Sequence, residues 1–263
     1  MKNTSSFNME HDLFSGKKSG AIAILSFKER PLTRVTSLSD KKALFDYLDL
    51  ISSRSEIKVL LIMGAPVKMG YEDYKEFYQQ IIRSGLNLEY IERFFNAVSQ
   101  FVLKLVSFKK MVVHADSGKV ILLFMNISLA CDYRIITDNT VFMNPNLKLG
   151  LVPKGGGVFF LSKILGSRKT SDILLSGEDI TAAEALELGI VDKVVPMNEL
   201  SEAALKAAQV YVEKPANYLS GIKRLLNYDI TTLADCLETE NDLIRRIIKP
   251  LVFKKMVNFY NDT

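Results

Sequence analysis

Several side chains in this sequence have the chemistry to move a proton or hold an anion. His114 and Asp116 sit two apart in the apolar run MVVHAD. In an extended segment that spacing sends both side chains to one face. A histidine on such a strand is also at home as a buried core residue. Ser117 makes no triad with these two, because near neighbours on one strand cannot easily reach that geometry. Asn126 lies inside the apolar run ILLFMNISLAC, and Asn146 follows Pro145. A buried amide needs a partner, supplied by protein or ligand. Asn146 reads equally as a turn residue or a substrate contact. An amide neither gains nor loses a proton near neutral pH, so either asparagine can orient a carbonyl or carboxylate but cannot act as a base. Tyr71, Glu72 and Asp73 share a loop with Lys68, and Lys119 and Lys154 stand beside later turns. These lysines are candidates for meeting phosphates or a substrate carboxylate. The run Lys154-Gly155-Gly156-Gly157 lacks the Walker spacing and reads as the turn that starts a packed helix.

The elements that must position these groups follow from pattern and punctuation. Residues 21–27, 58–64 and 111–115, then YRIIT, TVFMN and VDKVVP, are short apolar segments that read as strands. The segment 29–38, ERPLTRVTSL, reads as a loop. A helix is expected over 41–52, capped by Ser39 or Asp40, and a longer helical pattern over 73–107. Residues 121–131 are apolar nearly all round, which suggests a buried helix. Further helices are expected over 156–165 and 169–175. Thr181-Ala-Ala-Glu184 is a capping box, and Gly189 closes its helix. After Pro196 only amphipathic helices follow, over 198–213, 215–227 and 231–248. Strands alternating with helices, then helices alone, suggest an α/β core over 1–197 and a helical region over 198–263.

Composition narrows the possibilities. The chain has 263 residues, 34 basic and 30 acidic, for a net charge of +4. That mild balance gives no argument for nucleic acid as a partner. Cys131, Cys236, His11 and His114 are the complete set of cysteines and histidines. They are too few and too scattered for a disulfide framework or a structural zinc site. The polar N-terminus has no apolar core of a signal peptide. No apolar stretch approaches the ~20 residues that cross a bilayer. A cytoplasmic protein with neither metal nor membrane attachment is expected.

The segment from Ala130 to Pro196 carries a long ungapped motif. It reads ACDYRI, then TVFMNPNLKLGLVPKGGGVFFLSKILG, then LLSGEDITAAEALELGIVDKVVP. This text resembles the crotonase (enoyl-CoA hydratase/isomerase) superfamily, whose members show A-C-D-x-R-I, F-x-x-P-E-x-x-x-G-x-x-P-x-x-G-G and T-G-x-x-I-x-A-x-E-A-x-x-x-G-x-V-x-x-V-V-P. GAPVKMGYEDYKEF resembles the first oxyanion loop of that family. The resemblance implies a spiral of ββα units with C-terminal helices that build a trimer or a hexamer. It also implies a coenzyme A or acyl-carrier-protein thioester as substrate, with no tightly bound cofactor. Two backbone N–H groups would hold the thioester oxygen, one at Met69 or Gly70 and one near Leu123. Lys68 and Lys223 would be candidates to approach coenzyme A, Lys223 that of a neighbouring subunit.

The same comparison exposes departures. The family's three consecutive glycines fall on Leu122, Leu123 and Phe124. Its two hydratase glutamates fall on Asn126 and Asn146. Side chains at the glycine positions would crowd the approach of a ligand, and they are expected to fill what is a cavity in active relatives. Hydration by two glutamates is therefore not expected. Two readings follow: a thioester-processing enzyme that uses substitute groups, with Asp116 the foremost candidate, or a non-catalytic binding or assembly protein on the same fold.

Overall fold

The computed structural model describes residues 7–65, 76–77, 88–227 and 229–247. A hairpin opens the chain, β1 (Met9–Glu10) and β2 (Phe14–Ser19), followed by β3 (Ile22–Phe27). Then come α1 (Pro31–Arg34), α2 (Leu38–Ser53), β4 (Val59–Met63), α3 (Leu88–Val106), β5 (Met111–Asp116) and β6 (Lys119–Ile121). The middle of the chain forms α4 (Leu122–Ser128), β7 (Tyr133–Thr137), β8 (Val141–Met143), α5 (Asn146–Leu149) and α6 (Gly157–Ser176). It ends with β9 (Ile180–Thr181), α7 (Ala182–Glu187), β10 (Lys193–Val195), α8 (Leu200–Val212), α9 (Ala216–Leu226) and α10 (Ile230–Ile247).

Seven strands make one sheet in the order β1-β2-β3-β4-β5-β7-β10, and β6-β8-β9 make a second. From β3 to β10 the large sheet is parallel. Parallel strands are covered on both faces and so read as continuous apolar runs, which is why VLLIM of β4 shows no alternation. One face packs Val59, Leu61, Val113 and Ala115 against Leu200, Ala204 and Ala208 of α8. The other packs Leu60, Ile62 and Val112 against Leu44 and Leu48 of α2 and Phe101 and Leu105 of α3. The period of two therefore turns His114 and Asp116 toward α2 and α3.

Most expected elements are present, and the differences have physical causes. The cap of α2 is Ser37, whose hydroxyl accepts from Asp40 N–H, so that helix starts earlier than expected. The expected loop at 29–38 contains the turn α1, opened by Pro31 at its first position. The two helices expected over 156–175 are one element kinked at Gly166 (φ 76°, ψ 160°). The capping box is formed: Glu184 N–H donates to Thr181 Oγ1, and Thr181 N–H donates to Glu184 Oε2 at 2.8 Å. Strand β2 carries no local signal, because FSGKKS is polar along its outer half and is held by pairing with β3 along its length and with β1 at Ser15 and Gly16. Of the helix expected over 73–107, residues 73–75 and 78–87 lie outside the described residues.

One buried polar cluster ties the later helices to the core. Lys154 Nζ donates to Ser99 Oγ of α3 at 2.8 Å and lies 3.5 Å from Glu240 Oε2 of α10. The backbone N–H groups of Gly155 and Gly156 each donate to the Glu240 carboxylate at 3.0 Å. Burial pushes the Glu240 carboxyl up and the Lys154 ammonium down, and each opposes the other's shift by its charge. Removing one partner of such a pair strands the other charge. Lys154→Met should lower unfolding free energy in urea by about 3–5 kcal/mol, whereas Lys154→Met with Glu240→Gln, which keeps an acceptor for the two amides, should recover much of that loss.

Candidate active site

Where β4 and β5 end, the chain leaves a cavity of about 80 Å³. Its polar end is formed by His114, Asp116, Ser117 and Lys119, beside the backbone of Gly64 and Ala65. Its body is hydrocarbon: Leu44 of α2, Phe94, Val98 and Phe101 of α3, and Phe124 and Ile127 of α4. The sheet supplies the chemistry and the helices supply the dry wall. Gly64 leaves room for the Asp116 carboxyl, because a Cβ there would lie 2.4 Å from Asp116 Oδ1.

Asp116 is 7% exposed, and its Oδ1 accepts the Ser117 N–H at 2.9 Å. Burial pushes its carboxyl up to about 7, and that one hydrogen bond only partly restores the charged form. His114, two residues earlier on the same face, is pushed the other way. Burial, with help from the charge of Arg134, brings it down to about 4. Near neutral pH the cavity therefore holds a neutral imidazole and a carboxyl poised between its two forms. Such a carboxyl can serve as both proton donor and acceptor.

The remaining candidates are placed elsewhere. Asn126 is fully buried, and its Nδ2 donates to the Lys154 carbonyl at 2.8 Å. Its Oδ1 has no hydrogen-bond partner among the described residues. The amide is wedged against Gly157, where a Cβ would fall 2.4 Å from Asn126 Cγ. Asn146 is buried as the first residue of α5, and its carbonyl accepts the Leu151 N–H at 2.9 Å. Neither asparagine borders the cavity. Leu122 packs in the main core, Leu123 packs against Leu32, Phe77 and Phe94, and Phe124 stands on the cavity wall. Leu122 and Leu123 are thus packed in the core, while space persists beside Asp116.

Two lysine expectations are corrected. Lys223 is buried, and its ammonium bonds Asp132 at 2.7 Å and the Lys110 carbonyl at 3.2 Å, so it is spent inside the chain instead of facing a neighbour's ligand. Lys154 is likewise committed to Glu240 and Ser99. The Gly155-Gly156 amides bind an anion, but that anion is a side chain of the same molecule. Lys68, Met69, Gly70, Tyr71, Glu72 and Asp73 lie outside the described residues. Glu240 escaped notice because its local text, LETENDLIRR, reads as an ordinary solvated helix face. Among the described residues no group of three His, Cys, Asp or Glu is placed to hold a metal, and no helix is long and apolar enough to cross a membrane.

Comparison with known proteins adds an independent line. Residues 78–263 match the model of the family described as enoyl-CoA hydratase/isomerase. A carnitinyl-CoA dehydratase of Salmonella arizonae is 34% identical over 122 residues, 46% of this chain and 47% of that protein. A probable mitochondrial enoyl-CoA hydratase of Dictyostelium discoideum is 35% identical over 114 residues, 43% of this chain and 40% of that protein. The matched region thus spans less than half of either relative. The crystal structure of an enoyl-CoA hydratase from Bacillus halodurans superposes with a TM-score of 0.81, covering 94% of this chain and 99% of that one at 19% identity. One from Mycobacterium avium gives 0.73 at 23% identity, covering 95% and 96%. At that identity the superpositions establish the fold.

The raised Asp116 carboxyl has a consequence for stability. Its unfolded value is near 3.8 and its folded value near 7, so between those limits the folded state holds the extra proton. Stability from this group is full below pH 4 and is lost as pH rises through 7. Asp116→Asn should therefore match the parent protein at pH 4 and exceed it at pH 8, by up to about 4 kcal/mol, in urea titrations at the two pH values.

Proposed function

The chain belongs to the enoyl-CoA hydratase/isomerase family, and from that premise we propose that it processes an acyl thioester in the cavity beside Asp116. The carrier is coenzyme A or an acyl-carrier protein. The observation that carries the proposal is a buried carboxyl, poised near neutrality, at the polar end of a hydrocarbon-lined cavity. The acyl chain lies along the apolar wall with its Cα at Asp116. As a carboxylate, Asp116 takes the Cα proton. The C–H pair moves into the carbonyl and leaves an enolate. As a carboxylic acid, Asp116 returns the proton to Cα or, in a double-bond isomerisation, to Cγ. Neutral His114 donates or accepts a hydrogen bond at the same face.

The enolate oxygen carries developing charge and needs fixed donors. The proposed donors are the N–H of Leu123, in the first turn of α4, and that of Met69 or Gly70. In the first turn of a helix an N–H has no partner inside the helix. Asn126 and Asn146 then support the frame of the site, and hydration by two glutamates is not part of the reading. A second reading, a non-catalytic binding or assembly protein, is supported by one observation: Leu122 and Leu123, which the sequence resemblance aligns with family glycines, are buried in the core. The proposed assembly is a homotrimer or hexamer in the cytoplasm. Tyr218, Ile222, Leu225 and Leu226 of α9 are exposed, an apolar face that a monomer leaves in water.

A panel of acyl-CoA thioesters in D₂O tests the chemistry. The protein should exchange deuterium into Cα with a pH–rate inflection near 7. Asp116→Asn should slow exchange by about 100-fold or more while thioester affinity is kept. Unchanged exchange in that variant would remove Asp116 from the mechanism. Binding without exchange in the parent protein would favour the second reading. Replacing Leu225 and Leu226 together by Asp should convert the assembly to monomers in sedimentation velocity.

A further inference from the structure

A groove of about 440 Å³ runs along the opposite end of the large sheet, where β4 and β5 begin. It is separated from the cavity by the length of β4, five residues or roughly 17 Å. Five cations border it: Arg54 and Lys58 from the loop before β4, Lys109 and Lys110 from the loop before β5, and Lys214 from the turn between α8 and α9. Among the described residues no carboxylate is part of its lining. Glu56 and Glu213 stand in the same loops and are exposed, and the charge of Glu56 acts on Lys110, partly offsetting the lowering of that ammonium by burial.

The five cations fall into two groups. Lys58 donates to the Val212 carbonyl at 3.0 Å, and Lys110 donates to the carbonyls of Arg54 and Ile57. These two knit the walls together. Arg54, Lys109 and Lys214 have no carboxylate within ion-pair distance among the described residues, and Lys214 lies over the Tyr211 ring at 5.6 Å. The groove is thus a braced frame carrying three uncompensated charges. Its remaining border is rich in donors. Ser52 and Ser55 offer hydroxyls, and Ala216 and Asn217 begin α9, whose first turn has no side-chain cap. First-turn N–H groups without a cap favour anions. A concave surface lined by five cations, hydroxyls and first-turn amides, with Glu56 nearby but outside the lining, is complementary to a small polyanion.

We infer that this groove is a second ligand site, independent of the thioester cavity, for a small molecule carrying two or more phosphate charges. Arg54 supplies a planar fork suited to two phosphate oxygens, and Lys109 and Lys214 supply point charges on either side. The distance from the cavity separates this ligand from a thioester whose acyl group reaches Asp116.

Inorganic pyrophosphate is the probe, titrated calorimetrically at low ionic strength. Combined replacement of Arg54, Lys109 and Lys214 by Ala should weaken binding by about thirtyfold. A control triple, Lys17→Ala, Lys193→Ala and Lys206→Ala, removes the same charge from exposed positions elsewhere and should leave the affinity within about twofold. All six side chains are exposed, so folding is not at stake. The inference is overturned if the parent protein does not bind pyrophosphate or if the two triples weaken it equally. Coenzyme A is titrated alongside. Loss of its affinity by the same factor in the groove triple would make the groove the seat of the carrier and overturn an independent site. Coenzyme A affinity that holds while pyrophosphate binding collapses is the expected result.

Discussion

The buried contact between Lys154 and Glu240 is the constraint on which the rest of the arrangement hangs. A charge pair inside protein survives only if its other hydrogen-bonding capacity is met. Here Ser99 takes one ammonium proton, and the amides of Gly155 and Gly156 meet the carboxylate. Those partners come from α3, from the turn before α6 and from α10, so the three segments must meet at one point for any of them to be satisfied. The Lys154 carbonyl in turn holds Asn126 of α4. A single network therefore sets the relative position of the helices that wall the cavity.

That network also explains the division of the site. The region around Asn126 has been turned into structure, with its amide nitrogen given to the Lys154 carbonyl and with Leu122 and Leu123 packed in the core. The region around Asp116 has not. There a carboxyl is buried against the backbone of Gly64 with one hydrogen bond, a costly arrangement that nothing in the packing requires. Burial that raises a carboxyl while a neighbouring imidazole stays neutral is the pattern of groups with different roles in one dry site. At this residue the protonated form is the one that burial favours.

The family motif is carried largely by residues that hold strands together. Asp132 accepts the Val112 N–H at 2.7 Å and pairs with Lys223. Arg134 donates to the carbonyls of Cys131 and Ile190 and pairs with Asp192. These contacts fasten β5 to β7 and β7 to β10. The motif thus speaks for the architecture, and the chemistry has to be sought in the side chains that the architecture turns inward.

Much of the fold was legible in the linear text because it depends on local physics. Alternation and apolar runs mark β3, β4, β5 and β7, and the Thr181–Glu184 box marks the start of α7 by hydrogen bonds three residues apart. The shared face of His114 and Asp116 followed from the two-residue period of a strand. Other features depend on partners distant in sequence. The register of β2 comes from β3, the withdrawal of Lys223 comes from Asp132, and the anion at the Gly155-Gly156 turn comes from a helix 85 residues later. Glu240 carries no local sign of its role, because burial and charge compensation belong to the assembled environment and not to the residue. For the same reason the sequence could nominate Asp116, but only the packed walls around it determine that its carboxyl is buried, poised and beside open space.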